Sequence, residues 1–432
     1  ALGNGRRVGM IENDAVGGAC IFNACIPTKA MVHAARAYRQ MQRADFYGLP
    51  MLTETAQYQK VKAFKDRIVR DIGTGRDKRW VQRGGELFRG AARFKSAHEV
   101  LVGDEVISAR NIVIATGSLP TAPPIDGLQE TGYITNVEAL QLDSVPARLA
   151  IIGGGPVGVE FANIFSAFGA KVHIIELSDR LLSLEDEEIS SALEESLRNR
   201  GVLISTSVKV AEVKATPDGK SIRLQRQDGS DEHLAFDEIL VATGRRPNID
   251  ALDLDAAGVE TTKRGITVDA SLLTSIPNIW AIGDVTGPPY FTYVAGEHAQ
   301  VAVFNATSDS SRELHYSVLP RSTFCDPEVA SVGLTEAQAR EQGYPVVAGH
   351  FKYADLTRPI VMGEMEGFIK VVVDESSGRI LGGHIIGSEA STMIHEITVA
   401  MTMGATASDV GNLLHSYPTL SEGVRYACQS LS

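Results

Sequence analysis

The runs Asn111-Ile-Val-Ile-Ala-Thr-Gly117 and Glu238-Ile-Leu-Val-Ala-Thr-Gly244 carry one pattern twice: β-branched residues stopped by glycine, with Pro120 and Pro247 close behind. Short uninterrupted apolar runs of this kind predict buried strands. Their repetition predicts two related nucleotide-binding domains. Residues 8–12 form a shorter apolar run ending in Glu12, followed by a helical pattern to about Arg43 and a second over residues 54–82. Ala150-Ile-Ile-Gly153 reads as a strand leading into a helix over residues 159–168, and residues 171–176 as the next strand. Near Leu314 the pattern changes to strands at residues 367–373 and 380–386 and helices near residues 389–402 and 420–428. Strands followed by helices mark an α+β domain. The fold class is therefore α/β, with two Rossmann-like nucleotide-binding domains and a C-terminal α+β domain.

A chain of 432 residues with 44% hydrophobic content can bury large cores, and its length suits about three domains. The net charge of −12 argues against general affinity for nucleic acid or anionic membrane. The basic stretch over residues 60–83 reads as the solvated face of a long helix. No apolar run is long enough to span a bilayer, and the opening Ala-Leu-Gly-Asn-Gly-Arg-Arg lacks the layout of a signal peptide. Of four cysteines, Cys325 and Cys428 stand alone and read as structural. That usage suits a soluble protein of a reducing cytoplasm.

Two segments carry chemistry. Gly153, Gly155 and Gly158 form G-x-G-x-x-G between a strand and a helix, which permits a tight turn and close approach of a pyrophosphate to the helix N-terminus. Glu176 ends the next strand, where it can accept hydrogen bonds from a ribose diol and repel a 2′-phosphate, so the expected cofactor is NADH rather than NADPH. In Gly17-Gly18-Ala-Cys20-Ile-Phe-Asn-Ala-Cys25-Ile-Pro27-Thr-Lys29, two cysteines lie between a glycine pair and a proline. A helix starting near Pro27 puts Cys25 at its N-terminus, where the dipole stabilises a thiolate and lowers its pKa. Cys25 is then the reactive anion and Cys20 the exchanging thiol. Two buried structural cysteines are the bland alternative, and a zinc half-site lacks a matching Cys/His pair downstream. No metal site is expected.

The dithiol segment resembles the active-site motif of the FAD-dependent pyridine nucleotide-disulfide reductases, the family of lipoamide dehydrogenase, glutathione reductase and mercuric reductase. Ala19 and Ala24 stand where Thr and Gly are common. Further motifs agree in order and spacing, and the resemblance covers nearly the whole chain. It implies FAD and NAD as cofactors, a redox-active Cys20–Cys25 disulfide, and a homodimer formed by the C-terminal domain. It divides the chain into a FAD-binding domain (residues 1–120 and 246–313), an NAD-binding domain (residues 121–245) and a dimerisation domain (residues 314–432). Ile279-Trp-Ala-Ile-Gly283-Asp284 resembles the second FAD motif, which implies that Asp284 bonds the ribityl chain. The resemblance also implies that Lys29 and Glu160 pair beside the flavin N5, that Glu12 is the FAD ribose ligand, and that Gly18, Thr116, Gly117 and Gly244 join the cofactor contacts. The first strand–GxGxxG–helix should precede Glu12. Residues 1–7 look like the tail of that helix, so some two dozen residues of the FAD repeat are expected to be missing, judged against the second repeat.

His415-Ser-Tyr417-Pro418-Thr-Leu-Ser-Glu422 resembles the C-terminal signature, in which a His before Pro is the acid-base for the partner's dithiol and a Glu orients it. Tyr417 occupies the His position, and a phenol is a poor general base at neutral pH. His415 is a candidate surrogate, since Pro418 favours an extended backbone that turns both side chains the same way. The tail lacks the Cys-Cys pair usual in mercuric reductases. The resulting expectation is an enzyme passing electrons from NADH through FAD to Cys20–Cys25 and on to a metal ion or small oxidant. Dihydrolipoamide dehydrogenase is the alternative, and a non-enzymatic redox-sensing or subunit-like protein the third.

Overall fold

The computed structural model describes residues 2, 5–308, 310–316 and 318–431. The chain forms two compact units, one of Ala1–Pro27, Lys65–Thr121 and Gly244–His315, the other of Thr28–Phe64, Ala122–Thr243 and Tyr316–Ser432. Of the expected helix tail over residues 1–7, Ala1, Gly3 and Asn4 lie outside the described residues, and residues 5–7 form no helix.

Strand β1 (Gly9–Glu12) leads into helices α1 (Gly18–Phe22) and α2 (Cys25–Gln42). The long helix expected over residues 54–82 is two helices, α3 (Tyr58–Gly73) and α4 (Arg76–Gln82), broken at Thr74-Gly75. Lys65, within the stretch read as a solvated face, is buried and ion-paired with Asp66 at 2.6 Å. β1 pairs in parallel with β2 (Glu86–Arg89), and β3 (Ala92–Ser96), β4 (Glu99–Val102) and β5 (Glu105–Ser108) form a meander. Then come β6 (Ile112–Ile114) and β7 (Ser118–Pro120).

The second unit continues through the single-turn helices α5 (Leu128–Thr131) and α6 (Asn136–Ala139) into β8 (Arg148–Ile152), α7 (Pro156–Ala167), β9 (Lys171–Ile175) and α8 (Glu187–Asn199). β10 (Leu203–Ser205) follows, then a meander of β11 (Val208–Thr216), β12 (Gly219–Arg226) and β13 (Asp231–Phe236), and β14 (Glu238–Val241). The parallel sheet has the order β10-β9-β8-β14, so the strand that runs into the glycine motif lies inside it. Leu149, Ile151, Ile174, Phe161 and Phe165 are at most 1% exposed, and each such side chain removed from water contributes about 2 kcal/mol.

The chain returns to the first unit through β15 (Arg245–Pro247), a hairpin of β16 (Thr261–Thr262) and β17 (Gly265–Ile266), β18 (Ile279–Ala281) and α9 (Thr292–Thr307). β18 pairs in parallel with β6. The ends of the two repeated runs pair with each other: β15 is antiparallel to β7, and Thr121 N–H donates to the Gly244 carbonyl at 3.1 Å.

The last part of the second unit contains β19 (Arg321–Thr323), β20 (Glu328–Gly333), α10 (Glu336–Glu341), β21 (Val346–Lys352) and α11 (Thr357–Met362). β22 (Phe368–Asp374), β23 (Ile380–Gly387), α12 (Ala390–Met403), α13 (Ala407–Gly411) and α14 (Glu422–Gln429) complete it. The antiparallel sheet β19-β20-β23-β22-β21 buries Ile369, Val371 and Ile385 beneath α12 and α14. Lys370 lies buried among three carboxylates, Asp186, Glu188 and Glu336, at 3.1, 2.5 and 2.8 Å. No helix among the described residues is long and apolar enough to cross a membrane.

Candidate active site

Cys20 sits in α1 and Cys25 is the first residue of α2, so the helix begins at the cysteine itself, two residues ahead of Pro27. Both cysteines are half-buried. Cys25 Sγ lies 3.5 Å from the hydroxyl of Thr292, the first residue of α9. Four residues after Cys25 on the same helix, Lys29 Nζ donates to both carboxylate oxygens of Glu160 at 2.9 Å. Glu160, buried on α7, also accepts the Phe324 N–H at 3.0 Å, and Lys29 Nζ stands 4.6 Å from the centre of the Phe324 ring. A buried carboxylate with a cation and a backbone donor has its charge compensated.

Further along α2, Arg36 donates to Glu364 and Ser388, both at 2.8 Å, and Arg39 donates to Asn163 at 2.5 Å and Ser166 at 2.9 Å. These ties fix the helix that carries Lys29 to α7 and to the loops beside β22 and β23. Sequence reading missed them, because a lone arginine in a helix gives no sign of partners more than a hundred residues away.

The glycine motif is tightly built. Helix α7 starts at Pro156, with Gly155 as its cap, rather than at Val159, because proline is preorganised for a first helical position. Gly153 adopts φ 113°, and a Cβ on Gly158 would lie 1.9 Å from the Gly153 carbonyl oxygen. At Gly155 a Cβ would meet open space, so ligand can approach the backbone there. Glu176 accepts the Gly154 N–H at 2.5 Å and the Ser178 N–H at 2.6 Å. The carboxylate is thus locked onto the loop it serves, and the cradle fits a dinucleotide.

In the first unit, Asp284 lies on a 3₁₀ turn, Gly283–Thr286, directly after β18. Its carboxylate accepts the Ser118 hydroxyl at 2.5 Å, and Arg245 stands at 3.9 Å while donating to Ser118. Glu12 accepts the Asp14 N–H at 3.0 Å. The Thr116 hydroxyl donates to the Asn248 carbonyl at 2.7 Å, and the Gly117 and Gly244 carbonyls accept N–H groups of Asn248 and Thr121. A Cβ at Gly18 or Gly117 would meet nothing within 4 Å. Open backbone together with acids at two strand ends fits a second dinucleotide.

At the C-terminal signature the expected arrangement is not found. Tyr417 is 72% exposed and donates to the Thr357 hydroxyl at 3.2 Å. Glu422 is buried, accepting the Thr419 N–H at 2.9 Å and the Tyr426 hydroxyl at 3.4 Å, and no hydrogen bond among the described residues joins it to Tyr417. His415 and Tyr417 take different partners: the His415 side chain is only 9% exposed, and its Nε2 lies 2.7 Å from Glu396 on α12. Burial pushes the Cys325 thiol well up and Cys428 up to about 12, which keeps both as inert thiols. Among the described residues no group of three or more His, Cys, Asp or Glu could hold a metal ion.

Residues 1–306 match the pyridine nucleotide-disulphide oxidoreductase family, and residues 319–428 match its dimerisation domain. The chain is 37% identical to a dihydrolipoyl dehydrogenase of Thermus scotoductus, over 99% of this chain and 92% of that protein. It is 34% identical to a mercuric reductase of Staphylococcus aureus, over 98% of this chain and 78% of the relative. Among solved structures it is similar to the HOCl-induced flavoprotein disulfide reductase RclA of Escherichia coli. That similarity is 28% identity at a TM-score of 0.90, covering 100% of this chain and 96% of the other. The same protein's Cu(II) complex matches at 29% identity and a TM-score of 0.89, covering 98% and 94%.

Proposed function

The chain belongs to the pyridine nucleotide-disulphide oxidoreductases, flavoprotein enzymes that use FAD and a nicotinamide dinucleotide, and we propose that this member carries electrons from NADH to a Cys20–Cys25 disulfide and on to a metal ion or small oxidant. This reading assigns residues 1–120 and 246–313 to FAD, 121–245 to NADH and 314–432 to dimerisation. Two copies form the working enzyme, in a reducing cytoplasm that suits the buried thiols Cys325 and Cys428.

Bound FAD would supply two-electron transfer between the nicotinamide and the disulfide. The chain's own residues divide the remaining work. Glu176 binds the NADH ribose and rejects a 2′-phosphate by like charge. Glu12 and Asp284 bind the ribose and ribityl parts of FAD, with Gly18, Thr116, Gly117 and Gly244 lining the approach. Lys29 supplies a fixed positive charge, and Glu160, held by the Phe324 N–H, keeps it in place. Two electrons cleave the Cys20–Cys25 S–S bond. Cys25, at the positive end of α2, holds the negative charge, and Cys20 attacks or ligates the acceptor. When the S–S bond reforms, both electrons leave on the acceptor.

The choice of acceptor rests on Tyr417. A phenol in the place before Pro418, exposed and joined to Thr357, offers no general base near neutral pH, and dithiol exchange with an organic disulfide needs one. A metal ion can take electrons from thiolates without that proton transfer. Mercuric reductases and dihydrolipoyl dehydrogenases both stand among the relatives, and the Cu(II)-bound structural neighbour supports the metal reading. One observation favours a second reading, dihydrolipoamide dehydrogenase: the His415–Glu396 pair is itself a candidate acid-base dyad.

An acceptor panel with NADH as donor, covering Hg²⁺, Cu²⁺, glutathione disulfide and lipoamide, separates the two. Metal ions should turn over well and lipoamide slowly, and Tyr417→His should raise dihydrolipoamide oxidation about 10²-fold, the lower end of an acid-base contribution. Brisk lipoamide turnover that His415→Ala abolishes would establish the second reading instead.

A further inference from the structure

We propose that His298 is a positioning residue for flavin: as a neutral imidazole it holds the Gly283–Asp284 turn in its binding conformation, and its protonation loosens FAD. The inference rests on the flavin reading of Asp284 given above.

Gly283 opens the turn with φ 68°, and a Cβ added there would lie 3.1 Å from Cβ of Ala295 on α9, so the turn packs directly on that helix. One turn further along α9, Nδ1 of His298 accepts the Gly283 N–H at 3.0 Å, in a buried setting. A backbone N–H can only donate, so Nδ1 carries no proton and the ring is the tautomer protonated at Nε2. An imidazolium has N–H groups at both nitrogens. Protonation therefore sets the Nδ1 proton against the Gly283 N–H, and the turn loses its anchor on α9.

Burial holds His298 below its ordinary value of 6.5, while the Asp284 carboxylate pulls the other way. Asp284 is the charged group of the turn that acts on the ring. It is held in turn by Ser118 and approached by Arg245 at 3.9 Å, and Glu297, the next acid on α9, is exposed. The sign follows from linkage. The folded protein binds fewer protons at this site than the unfolded chain, so the bond to Gly283 is fully present above about pH 6.5 and is lost as pH falls through the depressed value. α9 also begins at Thr292, against Cys25 Sγ, so one helix supports both the flavin turn and the reactive sulfur.

The test compares the starting protein with His298→Asn, whose Oδ1 can take the place of Nδ1 without titrating, and with His298→Leu, which removes the acceptor. The FAD dissociation constant of the starting protein, from flavin fluorescence, should rise as pH falls from about 7.5 through the depressed value of His298, by up to about tenfold, the worth of one buried hydrogen bond. His298→Asn should change by less than about twofold over that range, and His298→Leu should be weaker by about tenfold at both ends. Amide exchange of Gly283, corrected for the intrinsic rate, should lose protection on acidification in the starting protein and keep it in His298→Asn. An Asn variant with the full pH dependence in either readout, or a Leu variant that binds FAD as tightly as the starting protein, would overturn the proposal. Should no variant bind FAD at any pH, the flavin reading of Asp284 falls, and Gly283 protection still decides what His298 does.

Discussion

In the second unit, β8 is hydrogen-bonded to β9 on one side and β14 on the other, and Ile151, Ile174 and Leu240 show no exposed surface. In the first unit, β1 pairs among the described residues with β2 alone and is nowhere fully buried, while β6 pairs with β18 and leaves Val113 38% exposed. The acids that end β1 and β9 share this contrast. Glu176 is gripped by two backbone N–H groups, one from the glycine loop of the adjacent strand, whereas among the described residues Glu12 accepts a single N–H two residues ahead of itself. A carboxylate at a strand end is therefore positioned by the neighbouring strand's loop. The strand it terminates supplies only its location.

The largest measurable consequence is in local opening. Amides of residues 172–175 should exchange slower than those of residues 10–12 by about 10³-fold, since β9 opens only with its sheet and β1 can fray from one partner. Equal protection would break the comparison. Next, Gly158→Ala should cost on the order of 3 kcal/mol in urea unfolding and abolish NADH binding, because its Cβ would collide with the Gly153 carbonyl. Gly155→Ala, where the space is open, should leave stability unchanged and raise the KM for NADH about tenfold. A Gly158→Ala protein of full stability would show that the loop can relax, and that the second unit is less rigid than its burial implies. The smallest effect concerns the acids. Glu176→Gln should destabilise by about 2 kcal/mol and narrow the preference for NADH over NADPH, whereas Glu12→Gln should cost under about 1 kcal/mol. Matching losses at the two positions would mean that the second hydrogen bond of Glu176 contributes nothing.

The apolar runs that form β8, β9, β14, β22 and β23 were legible in the sequence, because most of their residues are buried whichever face they point to. β19, β20 and β21 were not read. Arg321–Thr323 is only three residues long, and Val346–Lys352 lies at the sheet edge with His350 and Lys352 exposed, so neither is an uninterrupted apolar run. The break at Thr74-Gly75 was hidden by the helical spacing on either side of it. At the candidate site, the dithiol and the glycine loop stood out by their local spacing, and the family resemblance singled out Lys29 and Asp284. What stayed invisible were roles created by contact between distant segments, such as Thr292 beside Cys25, His298 beneath Gly283 and Glu396 beside His415. Tyr417 shows the reverse case, in which the sequence named the position and only the fold revealed that Glu422 serves Thr419 and Tyr426 instead.

The pairing of β7 with β15 brings Thr121 and Gly244 within one hydrogen bond of each other. Residues 122–243 therefore depart from and rejoin the first unit at a single doorway, and the ladder of β6 with β18 closes without any contribution from them. A detour with adjacent ends is the arrangement that insertion tolerates best. Under selection, the side chains of this stretch can change without re-registering the strands of the first unit.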